Sequence, residues 1–302
     1  MIKNKMSAQE QTKTTIVLDA TEFDDFSLCP FRWHAIHELH LAPRDPNVVF
    51  ERGGLLHDIL EKYYLLRRDS GLPQQEIIEE CVQHGRAKAL DYTSVSVQET
   101  SDTLFQFREY ARYYENEAWI PLFVEQPFFK QIYEDNELII AAAGKPDLIF
   151  KYAGTNHVAV CDHKRMSRKT EYSMLRNQFM LYALAIGTDT VIANKVGFQK
   201  TVKIEERFQR QSFIYHPSLL EEFKQDFIFK AKQLVIHQQE KIYPRERTSC
   251  EKYSGCFLQK FCTTRPEARE FLIGGEYRIT NRAWDVSARL EETGGAKTNV
   301  IT

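Results

Sequence analysis

Apolar residues recur at helical spacing through the first third of the chain. The segment "RGGLLHDILEKYYLLRR" places leucine, isoleucine and tyrosine residues three or four positions apart, which predicts an amphipathic helix. A shorter apolar stripe runs through "TEFDDFSLCPFRWHAIHEL", and residues 74–118 continue with helical spacing. We therefore predict a helical region over residues 21–120, preceded by a loose leader over residues 1–20.

The pattern changes at Pro121. The segments "LFVEQPFFKQIY", "ELIIAAAGKPDLIFKY" and "HVAVCDHK" are rich in β-branched and aromatic residues and are separated by turn-like sequences. They predict three strands in meander order. A helix is expected at about residues 171–187, then a strand or hairpin in "TVIANKVGFQKTVKI", then a helix over residues 217–240. This order favours an α/β fold over an all-helical bundle.

The same changes of pattern divide the chain into regions. Glycine pairs at 274–275 and 294–295 favour a loosely attached tail at the end. The predicted regions are a leader (1–20), a helical region (21–120), an α/β core (121–215), a C-terminal helix with a cysteine-rich segment (216–273) and a tail (274–302).

Length and composition exclude some classes of protein. A chain of 302 residues with 43% hydrophobic residues can bury one large core or two modest ones. The net charge of -2 argues against a protein that packages nucleic acid nonspecifically, but it leaves room for an enzyme with a local basic groove. The polar start is unlike a signal peptide, and no apolar run has the length that spans a bilayer. We expect a cytoplasmic protein with no membrane partner.

A carboxylate and a lysine stand one residue apart at the end of the third predicted strand. Side chains alternate between the faces of a strand, so Asp162 and Lys164 share one face and His163 points to the other. Asp147 follows Pro146, and a hairpin would bring it beside Asp162. Two close carboxylates repel each other unless a divalent cation lies between them, and oxygen ligands favour Mg²⁺ or Mn²⁺. A nearby lysine could orient or deprotonate a water molecule, or stabilise charge on a phosphate.

Taken alone, an Asp-x-Lys triplet is common, and these charges could merely keep an exposed hairpin end soluble. The surrounding sequence changes this balance. The elements "GKPD", then "DHK" fifteen residues later, then "QFMLY", resemble the PD-(D/E)XK nuclease superfamily in its RecB-like branch. The segment "GGLLHDILE" adds the Gly-x-x-x-His helix of that branch, on Gly53 and His57.

The resemblance implies a restriction-endonuclease-like core, in which helices flank a mixed central sheet, with a helical insertion and a cysteine-rich C-terminal segment. It implies that His57, Asp147 and Asp162 bind the metal. It also implies that Asp147 and Asp162 act in catalysis together with Lys164.

The resemblance also implies that Gln178 and Tyr182 line the active-site groove, with Glu125 as a weaker third candidate. Gln178 and Tyr182 are four positions apart and therefore share one helix face. Alone, they would more simply be a solvated residue and a core aromatic. Glu125, in "FVEQPF", is a weaker candidate, since a strand-face glutamate at a sheet margin is an equally good interpretation.

Four cysteines form a second set of candidate ligands. Cys250, Cys256 and Cys262 are separated by two equal gaps of five residues, and Cys29 precedes a proline near the start. Thiolates bind zinc or an iron–sulfur cluster, but structural zinc usually has Cys-x₂₋₄-Cys pairs, which this chain lacks. In a reducing compartment a disulfide framework is not expected.

One distant cysteine followed by a C-terminal trio resembles the 4Fe–4S nuclease subgroup, which includes AddB-type proteins and CRISPR-associated RecB-like exonucleases. The trio in that subgroup often opens with a two-residue gap, so the cluster type is left open here. The resemblance implies a cluster that ties the start of the chain to its end. The alternative, that these cysteines are ordinary small apolar residues, is the expected interpretation only for Cys81 and Cys161.

These features together predict a metal-dependent DNA nuclease, an exonuclease on DNA ends or single strands, in DNA repair or recombination, phage DNA metabolism or CRISPR adaptation. A basic cluster around Lys164, Arg165 and Arg176 would attract phosphates, or would simply be a solvated face. One alternative is a non-cutting DNA-binding scaffold of a recombination or CRISPR-adaptation complex. A zinc-stapled transcription-type factor is a third, but no recognition helix is visible. Since no Gly-x-x-x-x-Gly-Lys-[Ser/Thr] motif is present, any ATP-driven unwinding would need a partner helicase.

Overall fold

A computed structural model describes residues 13–45, 48–166, 171–199, 201–251 and 255–280. The strands are β1 (Thr14–Leu18), β2 (Leu41–Pro43), β3 (Trp119–Val124), β4 (Phe128–Glu134), β5 (Leu138–Gly144), β6 (Leu148–Tyr152), β7 (Val158–Met166), β8 (Thr190–Gly197), β9 (Phe208–Ile214) and β10 (Tyr277–Ile279). The α-helices are α1 (Ala20–Leu28), α2 (Pro30–Trp33), α3 (Val48–Asp69), α4 (Gln74–Lys88), α5 (Val97–Tyr113), α6 (Asn177–Ile186), α7 (Ile204–Arg207), α8 (Pro217–Glu240) and α9 (Gln259–Thr263).

A mixed five-stranded sheet in the order β3-β6-β7-β8-β9 forms the centre of the molecule. Only β7 and β8 are parallel, and α6 makes the crossover between them. A second, three-stranded sheet has the order β1-β5-β4. The α/β class and the restriction-endonuclease-like core with a mixed central sheet, both predicted from the sequence, are confirmed.

Helices cover both faces of the central sheet, because its strands are apolar on both sides. Phe150 on β6 packs among residues of α3, α4 and α5, whereas its neighbour Ile149 packs among residues of α6 and α8. The predicted helix at residues 217–240 is confirmed. In the described part of the chain, no helix combines the length and the apolar composition that crossing a membrane requires.

The strand count differs from the prediction, because two of the three predicted segments are each divided. The first splits at Glu125, where the backbone turns with a positive φ of 49°, and the second splits at Lys145-Pro146-Asp147. The resulting strands β4 and β5 leave the central sheet and pair with each other. Strand β9 was not predicted, because its polar residues 209–212 mask an edge strand that pairs with β8.

Three other boundaries are corrected. The helix expected from residue 171 begins at Asn177, because the side chain of Gln211 binds both the backbone N–H and the carbonyl of Tyr172 and holds it outside the helix. Part of the predicted leader forms β1, which pairs with the buried strand β5. Part of the predicted tail forms β10, which pairs with β2. The rest of the leader and tail, residues 1–12 and 281–302, lies outside the described residues, and the domain division as a whole stays a prediction.

Candidate active site

The hairpin of β6 and β7 brings the two aspartates together. The strands are antiparallel with Leu148 opposite Cys161, so Asp147, just before β6, lies beside Asp162. The backbone N–H of His163 donates a hydrogen bond to Asp147 Oδ2 at 2.5 Å. Both aspartates are buried, with 8% and 2% of their surface exposed. This is the neighbouring pair of carboxylates that the sequence predicts.

Helix α3 and the end of β3 add two more groups next to Asp147. His57 Nδ1 lies 3.2 Å from Asp147 Oδ1 and 3.8 Å from Glu125 Oε1. The second oxygen of Glu125 lies 2.5 Å from Lys145 Nζ. Ligand atoms of His57, Glu125 and Asp147 all lie within 4.8 Å of one another, and in the described residues this is the one such group of three histidine, cysteine or acidic side chains.

Glu125 has a strained backbone. Its φ of 49° is in the left-handed region, which costs a non-glycine residue about 1 kcal/mol or more. Its N–H donates to the carbonyl of Asp147 at 3.0 Å, so this conformation fixes Glu125 against the site. Sequence analysis ranked Glu125 as the weakest candidate, and the positive φ has no signal in the residue type. The structure nevertheless places Glu125 in one group of possible ligands with His57 and Asp147.

Lys164 and Gln178 surround the carboxylate of Asp162. Lys164 Nζ lies 2.6 Å from Asp162 Oδ2 and donates to Gln178 Oε1 at 3.3 Å. Gln178 in turn donates to Asp162 Oδ1 at 3.0 Å and to the hydroxyl of Tyr182 at 3.3 Å. The Tyr182 hydroxyl donates to the carbonyl of Lys145, next to the Pro146-Asp147 turn. The structure therefore brings together all seven residues that the sequence analysis proposed for this site.

The two aspartates differ electrostatically. Burial alone would raise the pKa of Asp147, but the charge and hydrogen bond of His57 outweigh burial and hold that pKa well below its usual range. Burial raises the pKa of Asp162; the Lys164 ammonium opposes this shift, whereas the charge of Asp147 adds to it. Burial would lower the pKa of His57, but Asp147 and Glu125 raise it to about 10. The carboxylates of Asp147 and Glu125 therefore favour the protonated form of His57.

His163 points to the other face of the sheet, as the alternation of side chains predicts. Its ring stacks on Tyr64 of α3, and its Nδ1 accepts a hydrogen bond from Asn194 Nδ2 at 2.8 Å. Asn194 also donates to the hydroxyl of Tyr110 at 2.8 Å. Burial lowers the pKa of His163 to about 3, so the ring is neutral and Nε2 carries the proton. This buried network holds β7 on the face opposite Asp162 and Lys164.

Three of the four predicted cluster cysteines meet at a separate place. Cys29, Cys256 and Cys262 belong to one cluster with Phe31, Leu258, Phe261 and Tyr277. Cys250 contacts this group through its backbone: its carbonyl accepts a hydrogen bond from the N–H of Cys256 at 2.9 Å. None of the six cysteines forms a disulfide. Cys81 and Cys161 are fully buried in the main core, as expected.

Nitrogen donors approach these sulfur atoms. The N–H of Glu246 donates to Cys29 Sγ at 3.3 Å, and Arg32 donates to Cys256 Sγ at 3.8 Å. In the described residues no three cysteine sulfurs lie within 4.8 Å of one another. This spacing is wider than a single tetrahedral zinc ion with Zn–S bonds of about 2.3 Å would need.

The fold and the site together define a class of protein. A model of the PD-(D/E)XK nuclease superfamily matches residues 18–263, and the chain belongs to this superfamily. No curated protein matches the chain in sequence.

Several solved structures are similar to the chain at low identity. An exonuclease candidate from Eubacterium rectale has 10% identity, a TM-score of 0.48, and coverage of 93% of this chain and 94% of that chain. The protein SSO0001 has 10% identity, a TM-score of 0.36, and coverage of 72% and 78%. An alkaline exonuclease from Laribacter hongkongensis has 9% identity, a TM-score of 0.30, and coverage of 64% and 96%.

Proposed function

We propose that this chain is a metal-dependent deoxyribonuclease that hydrolyses phosphodiester bonds and acts as an exonuclease on DNA ends or single strands. The single observation that carries the proposal is the meeting of Asp147, Asp162, Lys164 and Gln178 on one face of the central sheet, in a chain of this superfamily. A structural remnant of such a site would have no reason to keep buried carboxylates that repel each other.

The donor set fits a hard divalent cation. Carboxylate oxygens of Asp147 and Glu125 and the imidazole of His57 already converge, with Asp162 beside Asp147. Oxygen donors with an imidazole suit Mg²⁺ or Mn²⁺, and both cations are candidates. We propose that His57, Asp147 and Asp162 hold the ion, with Glu125 as a further ligand. When bound, it would polarise the phosphate and lower the pKa of a bound water molecule.

Lys164 is the proposed catalytic lysine. Its ammonium is held by Asp162 and Gln178, so its position is defined before any substrate arrives. A fixed cation next to the scissile phosphate would stabilise negative charge that develops on the phosphate oxygens and would orient the attacking water. Gln178 bridges Lys164 and Asp162, and Tyr182 holds Gln178 from the next helical turn.

Degradation of end-labelled single- and double-stranded DNA tests this proposal. The parent protein should shorten DNA in Mg²⁺ or Mn²⁺ and not in a chelator, and Lys164→Met should cut at least about 100-fold more slowly. Lys88→Met, on the surface of α4, is the matched control. Equal cutting by the parent and Lys164→Met would overturn the assignment of the site. Tight DNA binding without any cutting by the parent would favour a scaffold subunit.

We also infer that the chain belongs to the RecB-like branch and holds a 4Fe–4S cluster on Cys29, Cys250, Cys256 and Cys262. Supporting observations are the position of His57 on α3, the shared cluster of three of these cysteines and the donors aimed at their sulfurs. Zinc is the less favoured occupant. Partners such as a helicase, a recombination protein or a CRISPR-adaptation protein stay predictions.

Iron and sulfide content of anaerobically purified protein tests the cluster. Cys29→Ser should lose both the iron and the brown absorption, whereas Cys81→Ser, which changes a buried cysteine of the main core, should keep them. A parent protein that contains zinc and no iron would contradict this part of the proposal, with no bearing on the nuclease site.

A further inference from the structure

Two neighbouring concavities run along α1 from the proposed active site. The larger, about 740 Å³, lies between α1 and the start of α6, and Gln178 is part of its wall. The smaller, about 260 Å³, lies between the end of α1 and α8. Ser27 and Leu28 belong to the walls of both. We call the two together the α1 groove.

Basic side chains are spaced along the α1 groove. Arg176 is at the end next to Gln178, and Lys230 and Arg245 are at the far end. Within the described part of the chain, neither Arg176 nor Lys230 forms an ion pair. The guanidinium of Arg176 lies over the rings of Tyr172 and Phe179 at 5.3 and 5.5 Å, which leaves its N–H groups available to a ligand.

The acidic residues of the groove are engaged by other protein groups. Asp25 binds Arg32 at 2.7 Å and His37 at 2.9 Å. Asp24 accepts a hydrogen bond from Asn177 at 2.5 Å. Glu246 accepts from the hydroxyl of Thr248 at 2.7 Å. In the described residues Arg176 and Lys230 therefore form no ion pair at the two ends of the groove, although the charge of Arg176 opposes the burial that raises the pKa of nearby Asp24, whereas Asp25 is paired with Arg32.

We propose that the α1 groove holds a single strand of DNA that is continuous with the scissile phosphate, with strand phosphates on Arg176 and Lys230. This inference rests on the proposed function and adds the path and the form of the substrate. Concavities of this size accept ligands as large as a nucleotide or two. A duplex is a stiff cylinder with its phosphates outside, and it cannot enter a groove whose walls are two helices. A flexible strand can enter and follow spaced cations.

Binding of fluorescent oligonucleotides, measured in a chelator so that nothing is cut, tests the groove. Arg176→Glu and Lys230→Glu should each weaken single-strand binding roughly tenfold at low salt and reduce the salt slope by about 0.7. Ser27→Trp, which fills the groove without changing its charge, should weaken binding as well. Lys88→Glu on α4 is the matched control and should bind like the parent.

These variants are expected to fold. Arg176 precedes the first turn of α6, where an acidic residue suits the helix dipole, and Ser27 is exposed. Unchanged single-strand binding by all three variants would overturn the proposal that the α1 groove binds DNA, even if the parent cuts DNA. An equal loss of duplex binding would overturn its assignment to a single strand. If the parent never cuts DNA but the three variants lose single-strand binding, the proposed nuclease fails and the groove stands.

Discussion

The ammonium of Lys164 lies 2.6 Å from the Asp162 carboxylate, on the same face of one strand, and Gln178 bonds to both from helix α6. This ammonium is therefore fixed by two neighbours that belong to different elements of the fold. Since α6 is also the crossover between β7 and β8, the packing of the sheet sets the geometry of the site.

Gln178 should act by positioning. We expect Gln178→Ala to lower kcat by about 10-fold or more, because Lys164 and Asp162 lose their shared partner. Gln178→Glu should lower kcat further, since it places another carboxylate against Asp162. Steady-state kinetics on a labelled oligonucleotide measure both. Gln225→Ala, on the exposed side of α8, is the control, and equal kcat in all four proteins would contradict this role.

Glu125 should show opposite effects on stability and on metal binding. Glu125→Gly removes the strain of a positive φ, so it should be more stable than Glu125→Gln by about 1 kcal/mol. Both variants lose the carboxylate and should bind Mn²⁺ more weakly than the parent. Chemical denaturation and calorimetric titration give the two quantities. Parent-like Mn²⁺ affinity in both variants would remove Glu125 from the ligand set.

Metal binding should stabilise the folded protein. At a Mn²⁺ concentration of 100 times Kd the free energy of unfolding should rise by about 2.7 kcal/mol, because the unfolded chain has no assembled site. Asp147→Asn should abolish most of this increase, since Asp147 is the residue that contacts both His57 and the β7 backbone. Thermal unfolding with and without Mn²⁺ measures the effect. The same increase in parent and variant would place the ion elsewhere.

Asp25 should make stability depend on pH in acid. Burial opposes its ionisation, but hydrogen bonds and charges from His37 and Arg32 outweigh burial and lower its pKa. A lowered pKa contributes stability above the unfolded value of about 3.9, and this contribution is lost as the pH falls through the folded value. Asp25→Asn should cost about 2–3 kcal/mol at neutral pH and flatten this slope.

Urea denaturation between neutral and acid pH measures this contribution. Asp226→Asn, on the exposed side of α8, should change stability by no more than about 0.5 kcal/mol. If the parent and Asp25→Asn lose stability in parallel as the pH falls, then Asp25 is not the group responsible.

Much of the candidate site could be predicted from the sequence, because several of its residues lie only two or four positions apart in one strand or one helix. The alternation of a strand fixes Asp162 and Lys164 on one face, and a helical turn fixes Gln178 and Tyr182 on another. Both predictions need only the repeat of the strand or of the helix that contains the residues. The hairpin that adds Asp147 required one further assumption, that consecutive strands pair.

The position of Glu125 in the site and the division of the predicted strands could not be predicted from these local repeats. Residues 122–133 have the composition of one strand segment, rich in β-branched and aromatic residues, and a positive φ at Glu125 divides it. Nothing in the residue type signals this, since glutamate rarely takes that conformation. Strand β1 was missed for a different reason: it is stabilised by pairing with β5, more than 100 residues away in the sequence, and local patterns do not report such pairings.

The pairing of β2 with β10, together with the contacts of Cys29 with residues 244–262, has a consequence for biosynthesis. A ribosome finishes Tyr182, the last residue of the active site, 95 residues before it reaches Tyr277. At ordinary rates of translation this interval is roughly 5–20 s. During that time the nascent chain carries every side chain of the candidate site, but the segment that contacts Cys29 has not yet been synthesised. The side chains proposed for the nuclease site are therefore made before the two ends of the chain can join.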